Sequence, residues 1–510
     1  MRATAVDNPT SIARLVTVLA AVAGLGAAIY YAHLDLTLSH YDARGHLVVA
    51  RRTIDGLTPG WRQIGAVWLP LPHLLNALPV QWDWSYRTGW SGIALSVGFL
   101  SAGLGALAGW LWRSTSSWAI AGVVPLVILV NPNVLYLQST PMTEPLLFGL
   151  SLVALASMDR WLQQPGPEQT LRTGAILAAL MLTRYEGWFI AAALVAVGAV
   201  VSIPRAARLA MYPATAVAAF LLLSWGSTGQ WFVTSGFFEA NNPALGDLAL
   251  SLGQVAEGVT ELGGPWLLWF GLAGTIALVV AAGQAAMARS REGVARALVP
   301  LTLAAAAALP AYAFFSGHPV RIRYMTALIV AAPVIGAFAL ARLPRHLHSP
   351  VAAALLTLAV WMTPPLDQSA PMVREAQRER PTSDARQTVT AALTRVWDGT
   401  PIMASMGSLG HYMQQLAAHG FDLRDFLHEG NGDLWTAALA APRPYVKWML
   451  IEESAEGGDT LAALARVNPA FLADSRAPRT AEVSCSTSEP NLEADREVQA
   501  AQIDLLGQEP

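Results

Sequence analysis

The stretch IARLVTVLAAVAGLGAAIYYAHLDLTLSHYDARGHLVVARRTID, residues 12–55, decides how this chain is read. Its first part, Ile12–Tyr31, has the length a bilayer demands, about 20 apolar residues for a hydrocarbon core of about 30 Å. The run is long for a secretory signal core and reads as a retained first helix. It then gives way to a polar segment that continues to Leu75 and gathers Asp35, His40, Asp42, Arg44, His46, Arg51, Arg52 and Asp55. An anchor that only crosses lipid has no use for such a cluster. A protein whose chemistry lies at the water–lipid boundary does.

Composition extends this reading to the whole chain. Of 510 residues, 54% are hydrophobic and 13% charged, and the mean hydropathy is +0.41. Soluble domains carry about 25% charged residues, so the chain is a polytopic membrane protein. A net charge of −3 gives no pull toward nucleic acid. The single cysteine, Cys485, excludes an internal disulfide framework and a cysteine metal cluster. Lys447 is the only lysine. Arginine, the better fork for phosphate oxygens, supplies the remaining positive side chains.

Apolar runs predict about 11 transmembrane helices: Ile12–Tyr31, Thr88–Trp112, Trp118–Tyr136, Pro145–Trp161, Leu171–Thr183, Trp188–Ile203, Leu209–Trp225, Pro265–Ala286, Ala297–Phe315, Ile322–Ala341 and Val351–Met362. With the N-terminus cytoplasmic, most arginines of the short loops fall inside, among them Arg14, Arg113, Arg160, Arg205, Arg208, Arg291 and Arg345, as the positive-inside rule asks. Arg44, Arg51, Arg52, Arg62, Arg87, Arg184, Arg321 and Arg323 are left outside. An odd number of spans puts the C-terminal part on the outer face with the loop at residues 32–87.

Past residue 364 the charge rises. Pro401–Met406 and Val446–Ile451 read as buried strands, and Ala385–Val396, Leu409–Ala418 and Thr460–Val467 carry helical spacing. The expected organisation is a membrane domain over 1–364, a small extracytoplasmic α/β domain over 365–473 and a mobile tail over 474–510.

Four outer-face elements could carry chemistry. In the first loop, Ala43, Leu47, Ala50 and Ile54 mark one face of a helix expected to lie on the membrane. Arg51, Arg52 and Asp55 are expected on its solvated side. Asp42 reads either as a reacting acid or as a helix-start acid beside a Ser39 cap. In Thr143-Glu144-Pro145, Glu144 stands where a helix enters the membrane. It is either functional or a dipole-favoured acid with Thr143 as cap. In His318-Pro319-Val320-Arg321-Ile322-Arg323, the arginines could grip a phosphate or snorkel to head groups, and Arg323 falls inside the apolar run. In Arg184-Tyr185-Glu186, the two charges could simply pair. No phosphate-binding loop, dinucleotide fingerprint or HExxH is present, and the histidines are too isolated to suggest a metal site.

In this order, the motifs resemble those of the GT-C fold glycosyltransferases that use lipid-linked sugars. They are most similar to the bacterial protein O-mannosyltransferase and aminoarabinose transferase clan, glycosyltransferase family 39. Asp42-Ala43-Arg44-Gly45-His46 occupies the place of the clan's acidic motif after the first span, with Ala43 where many relatives carry a second acid. Trp68-Leu69-Pro70-Leu71-Pro72-His73 resembles its proline-rich entry to the next helices, and Tyr86-Arg87 its arginine before the second long span. Thr143-Glu144-Pro145 resembles its second outer acid, and Arg323-Tyr324 a late Arg-Tyr. The resemblance covers roughly residues 10–345.

The resemblance implies an inverting transferase in the cell membrane. It would move a sugar, mannose foremost, from a polyprenyl-phosphate donor to an acceptor hydroxyl on a protein, lipid or glycan. Asp42 would be the general base, and Glu144 would orient the acceptor or hold Asp42's geometry. Arg323, Arg321, His318 and Arg184 would hold the donor phosphate, and His46, Arg87 and His73 would support the loop or acceptor. Neither a nucleotide nor a divalent metal is implied. The alternative class is a transporter or flippase of a lipid-linked substrate. Such proteins show pseudo-symmetric halves with broken helices at the midplane, whereas the polar residues here gather on one face.

Overall fold

In a computed structural model of the chain, residues 9–65, 67–231, 238–378, 380–452 and 459–467 are described. The tail expected over 474–510, with Cys485, lies outside the described residues. The first span is α1 (Pro9–His33), and the polar loop that follows holds α2 (Tyr41–Arg51), α3 (Leu71–Asn76) and α4 (Asp83–Thr88). The bundle continues through α5 (Trp90–Thr115), α6 (Trp118–Leu129), α7 (Pro132–Gln138), α8 (Glu144–Gln163), α9 (Pro167–Met181), α10 (Glu186–Val201) and α11 (Ile203–Thr228). It is completed by α12 (Leu248–Gly263), α13 (Pro265–Met287), α14 (Arg291–Leu298), α15 (Ala308–Phe315), α16 (Thr326–Leu340) and α17 (Arg345–Met362).

All 11 expected spans are helical. Among the described residues, seven helical runs are long and apolar enough to cross a membrane, two of them (Arg291–Phe315 and Ile322–Leu340) continuous only through 3₁₀ turns, and α6–α7 is an eighth candidate bent by 71°. The bend has a local cause. Asn131 turns its side chain onto the amides of Asn133 and Val134, and Pro132 starts a new helix at its first position. Helices α9 and α10, at 15 and 16 residues, are shorter than the core they were expected to span. At 1.5 Å per residue they reach only about 24 Å. The amphipathic α12 was not expected from the sequence.

Close backbone approach explains two glycines. Gly103 of α5 and Gly149 of α8 face each other, and a Cβ at Gly149 would fall on the Phe99 carbonyl. This brings α8, with Glu144 at its start, hard against α5.

Beyond the bundle come α18 (Pro371–Gln377), α19 (Arg380–Val396), β1 (Ile402–Ala404), α20 (Met406–Ala418), β2 (Phe426–Leu427), α21 (Asp433–Ala440), β3 (Trp448–Leu450) and α22 (Thr460–Val467). The strands form one parallel sheet in the order β2-β1-β3, with Ile402 opposite both Phe426 and Trp448. Parallel neighbours need crossover connections, and α20 and α21 supply them. In open parallel sheets, ligands enter at the carboxyl ends of the strands where the order reverses. Here Glu429 fills that place. Its carboxylate accepts from Ser405 Oγ at 2.7 Å, the Met406 amide at 2.8 Å and Thr460 Oγ1 at 3.1 Å.

The expected membrane-lying helix is not on the membrane. Ala43, Leu47, Val48 and Ala50 of α2 are wholly buried. Leu47, Val48 and Ala50, with Val80 and Tyr86, share a core with Ile402, Leu409, Met413, Phe421 and Phe426 of the α/β region. The apolar face thus meets α20, while Ile54 is half exposed. Nor are Arg51, Arg52 and Asp55 solvated, since all three are buried. Arg51 pairs with Asp55 at 2.9 Å, Asp83 at 2.7 Å and Asp422 at 3.2 Å. Arg52 donates to the Gln63 carbonyl at 2.6 Å. A buried charge is tolerated only when paired, and the C-terminal region provides part of that pairing.

Candidate active site

The chain alternates through the bundle so that the start of α2, the starts of α8, α10 and α16, and α18 meet at one end. Asp42 lies in the first turn of α2 and is 8% exposed. Its N-cap is His40 and not Ser39: His40 Nδ1 accepts the Asp42 amide at 3.1 Å. Arg323, in a single 3₁₀ turn (Ile322–Met325) leading into α16, donates its Nη1 to Asp42 Oδ2. Burial would raise the Asp42 carboxyl. The Arg323 guanidinium, helped by His40 and His46, outweighs it and holds the group well below the ordinary carboxylate range.

A second ion cluster stands beside the first. Glu144 is fully buried, and Arg184 Nη1 lies 2.9 Å from its Oε1. Neither Glu144 oxygen has an aligned hydrogen bond. Thr143 does not cap α8; its hydroxyl accepts from Arg184 Nη1 at 3.1 Å. Arg184 also pairs with Glu186 at 2.8 Å. The pairing of Arg184 with Glu186 anticipated from sequence is therefore present, and it extends to Glu144. Arg184 and Arg323 are near enough for their charges to repel each other.

Beneath Asp42, His46 Nδ1 and His73 Nε2 meet at 3.0 Å. His73 Nδ1 donates to the Leu69 carbonyl at 3.1 Å, which leaves Nε2 to accept from His46. Trp68 covers both rings, with centroids 4.2 Å from His46 and 5.9 Å from His73. Gly45 makes the room, because a Cβ there would meet the Trp68 ring at 2.7 Å. Burial, then the nearby Arg52, lowers His73 to about 3. His46 is pushed well below its usual value by burial and by His73. Both are therefore neutral. A small cleft opens beside them, lined by Asn76, Pro141 and Met142 among others.

His318 is buried near Arg323, with Nε2 3.3 Å from the Tyr324 hydroxyl and Nδ1 2.7 Å from the Pro319 carbonyl. Arg321 is exposed at the mouth, and its charge reaches His318. Arg87 does not join the group. It is exposed on α4, and its Nε donates to the Asp83 carbonyl of its own helix at 3.4 Å. Two members had no signal of their own in the sequence. His40 was one charge in a crowded loop. Glu375 of α18, 3.6 Å from His40 Nε2, lies in no motif. Among the described residues, no three His, Cys, Asp or Glu side chains are grouped as a metal ion would require.

The arrangement offers carboxylates beside guanidinium groups at the mouth of a helical bundle. Some buried polar atoms have no hydrogen-bond partner, Arg323 Nε and Glu375 Oε2 among them.

The helices and the sheet define a multi-pass α-helical membrane protein with a small C-terminal α/β region. The solved structure of ArnT from Cupriavidus metallidurans bound to undecaprenyl phosphate matches it with a TM-score of 0.52 and 13% identity, over 85% of this chain and 89% of that one. The same protein in the apo state gives a TM-score of 0.48 and 14% identity, over 83% and 88%. No family model matches the chain, and no curated protein sequence does.

Proposed function

We propose that the chain is an inverting glycosyltransferase that takes a sugar from a polyprenyl-phosphate donor and places it on an acceptor hydroxyl at the outer membrane face. Mannose is the first sugar to test. The observation that carries the reading is the Asp42–Arg323 pair, which joins the loop acid to the arginine of a late span. The undecaprenyl phosphate held by the ArnT structure of like fold lends support.

The chemistry follows from the pairing. In the resting site Arg323 lowers the proton affinity of Asp42, which makes a poor base. An arriving phosphate offers Arg323 competing oxygens, to which its guanidinium can donate. Asp42 then loses part of its counter-charge, and its proton affinity rises toward what a general base needs. It takes the acceptor hydroxyl proton as the acceptor oxygen bonds the anomeric carbon from the face opposite the phosphate. The carbon–oxygen bond to phosphate breaks, and polyprenyl phosphate leaves. Arg323, with Arg321 and His318 at the mouth, stabilises the charge developing on that phosphate. Glu144 and Glu186 hold Arg184 nearby, where it meets the same charge.

The test is transfer by purified protein in nanodiscs supplied with polyprenyl-phosphate mannose and a pentose analogue, scored by release of polyprenyl phosphate. Asp42→Asn should lower the rate at least about 100-fold, the scale of a lost general base. Arg323→Ala should also be deficient. Transfer at the normal rate in both variants would remove the reading.

A further inference from the structure

The mechanism leaves one buried contact unused, and it crosses from the C-terminal region to the first loop. Helix α18 is fixed in place at two points. The Met372 amide donates to Asn133 Oδ1 at 3.0 Å, and Ser39 Oγ donates to the Ala376 carbonyl. Between these points Glu375 turns inward, with Oε1 3.6 Å from His40 Nε2 and Oε2 buried without a partner. His40 is 4% exposed and caps α2 through Nδ1, which accepts the amide of Asp42.

This geometry fixes the tautomer. A ring nitrogen that accepts an amide carries no proton, so the His40 proton sits on Nε2, facing Glu375. The carboxylate therefore orients the ring that holds the first turn of α2, and with it the backbone of Asp42. The geometry points to Glu375 as a positioning residue for Asp42, acting through His40. This rests on Asp42 being the base of the proposed transfer. By this contact the segment after the last span becomes part of the reacting unit.

A second proton on His40 would displace the Asp42 amide from Nδ1 and undo the cap. The groups facing His40 are Glu375, Asp42 and Arg323, and Arg321 also faces Glu375. Burial disfavours the charged ring. Glu375 and Asp42 together outweigh burial and Arg323, so the ring sits above its usual value. Removing the Glu375 charge withdraws that pull and keeps His40 neutral to lower pH.

Three measurements on the full chain in nanodiscs test the inference. Glu375→Gln should lower kcat about tenfold, the rate equivalent of one charge-assisted contact, with KM for the polyprenyl-phosphate sugar little changed. The acid limb of its pH profile should move to lower pH, which a merely structural role would not produce. His40→Asn keeps a good cap for α2 but cannot serve Glu375. In that background Glu375→Gln should have no further effect, whereas additive losses would overturn the inference. Hydrogen exchange gives a readout independent of activity: amides 41–45 should exchange faster in Glu375→Gln. Unchanged exchange with an unmoved acid limb would also overturn it. If wild-type protein transfers no sugar while the exchange responds, the transferase reading falls and the Glu375–His40 contact stands.

Discussion

At the residue scale, the buried arginines stand among carboxylates. Arg184 lies against Glu144 and Glu186, and Arg323 against Asp42, with Glu375 within reach of its charge. In the proposed transfer, a phosphate entering such a site would compete for the arginines and release the acids. The neutral imidazole pair behind Asp42 has its own consequence. His73 titrates at about 3 in the fold, against about 6.5 in an unfolded chain. The unfolded chain therefore binds more protons between these values, and stability is full above pH 6.5 and lost as pH falls toward 3. The loss approaches about 1.4 kcal/mol per pH unit for one such group. Thermal melting between pH 7 and pH 4 should drop less steeply for His73→Gln than for wild type, after allowing for the variant's lower starting point. Equal slopes would mean that the ring is not buried neutral. At this scale the sequence was informative about residue types. Asp42, Glu144 and Arg323 stand out because a charge beside an apolar run is costly. Their partners were not legible, because Asp42 and Arg323 are 281 positions apart and a side chain carries no mark of what it will meet. Glu375 had no local mark at all.

At the element scale, α2 is the helix on which everything turns. Its period announced an apolar face, and the face exists. What covers that face is not a property of period, so membrane and protein could not be told apart. The cover is α20. Leu47→Ala should cost about 2–5 kcal/mol, as for other large-to-small changes in a packed core, and should loosen α20 as well as α2 in hydrogen exchange. A loss confined to α2 would contradict a shared core. The long apolar helices were legible because hydropathy is local. The two-residue β2 was not, since it is too short to show alternation. The start of α20 is sealed from within by Glu429. Ser405→Ala removes one donor to that carboxylate, and a lower melting temperature without any gain in binding of nucleotides or phosphate is the expected result.

At the scale of the whole molecule, the loop and the C-terminal region behave as one body clamped on the end of the bundle. The apolar core of α2, α4, β1 and α20 joins them. The Arg51–Asp55–Asp83–Asp422 network and Arg424, 3.1 Å from Asp55, tie the polar rim. Truncation after Met362 would leave Leu47, Val48 and Tyr86 uncovered and Arg51 short of a partner. Trypsin should then cut rapidly after Arg51 or Arg52 in the truncated protein, while the same bonds resist in the full chain, where both side chains are buried. Equal cutting rates would mean that the clamp does not hold the loop.

The proposed function depends on the arginine at the start of the late span recognising a polyprenyl phosphate. The most direct measurement is a titration of nanodisc-embedded protein with undecaprenyl phosphate, using undecaprenol as the uncharged control. Saturable binding of the phosphate at least about tenfold tighter than that of the alcohol is expected, the scale of one or two charge-assisted hydrogen bonds, with loss of that difference in Arg323→Ala. Equal binding of phosphate and alcohol by wild-type protein, or a preference untouched in Arg323→Ala, would contradict it.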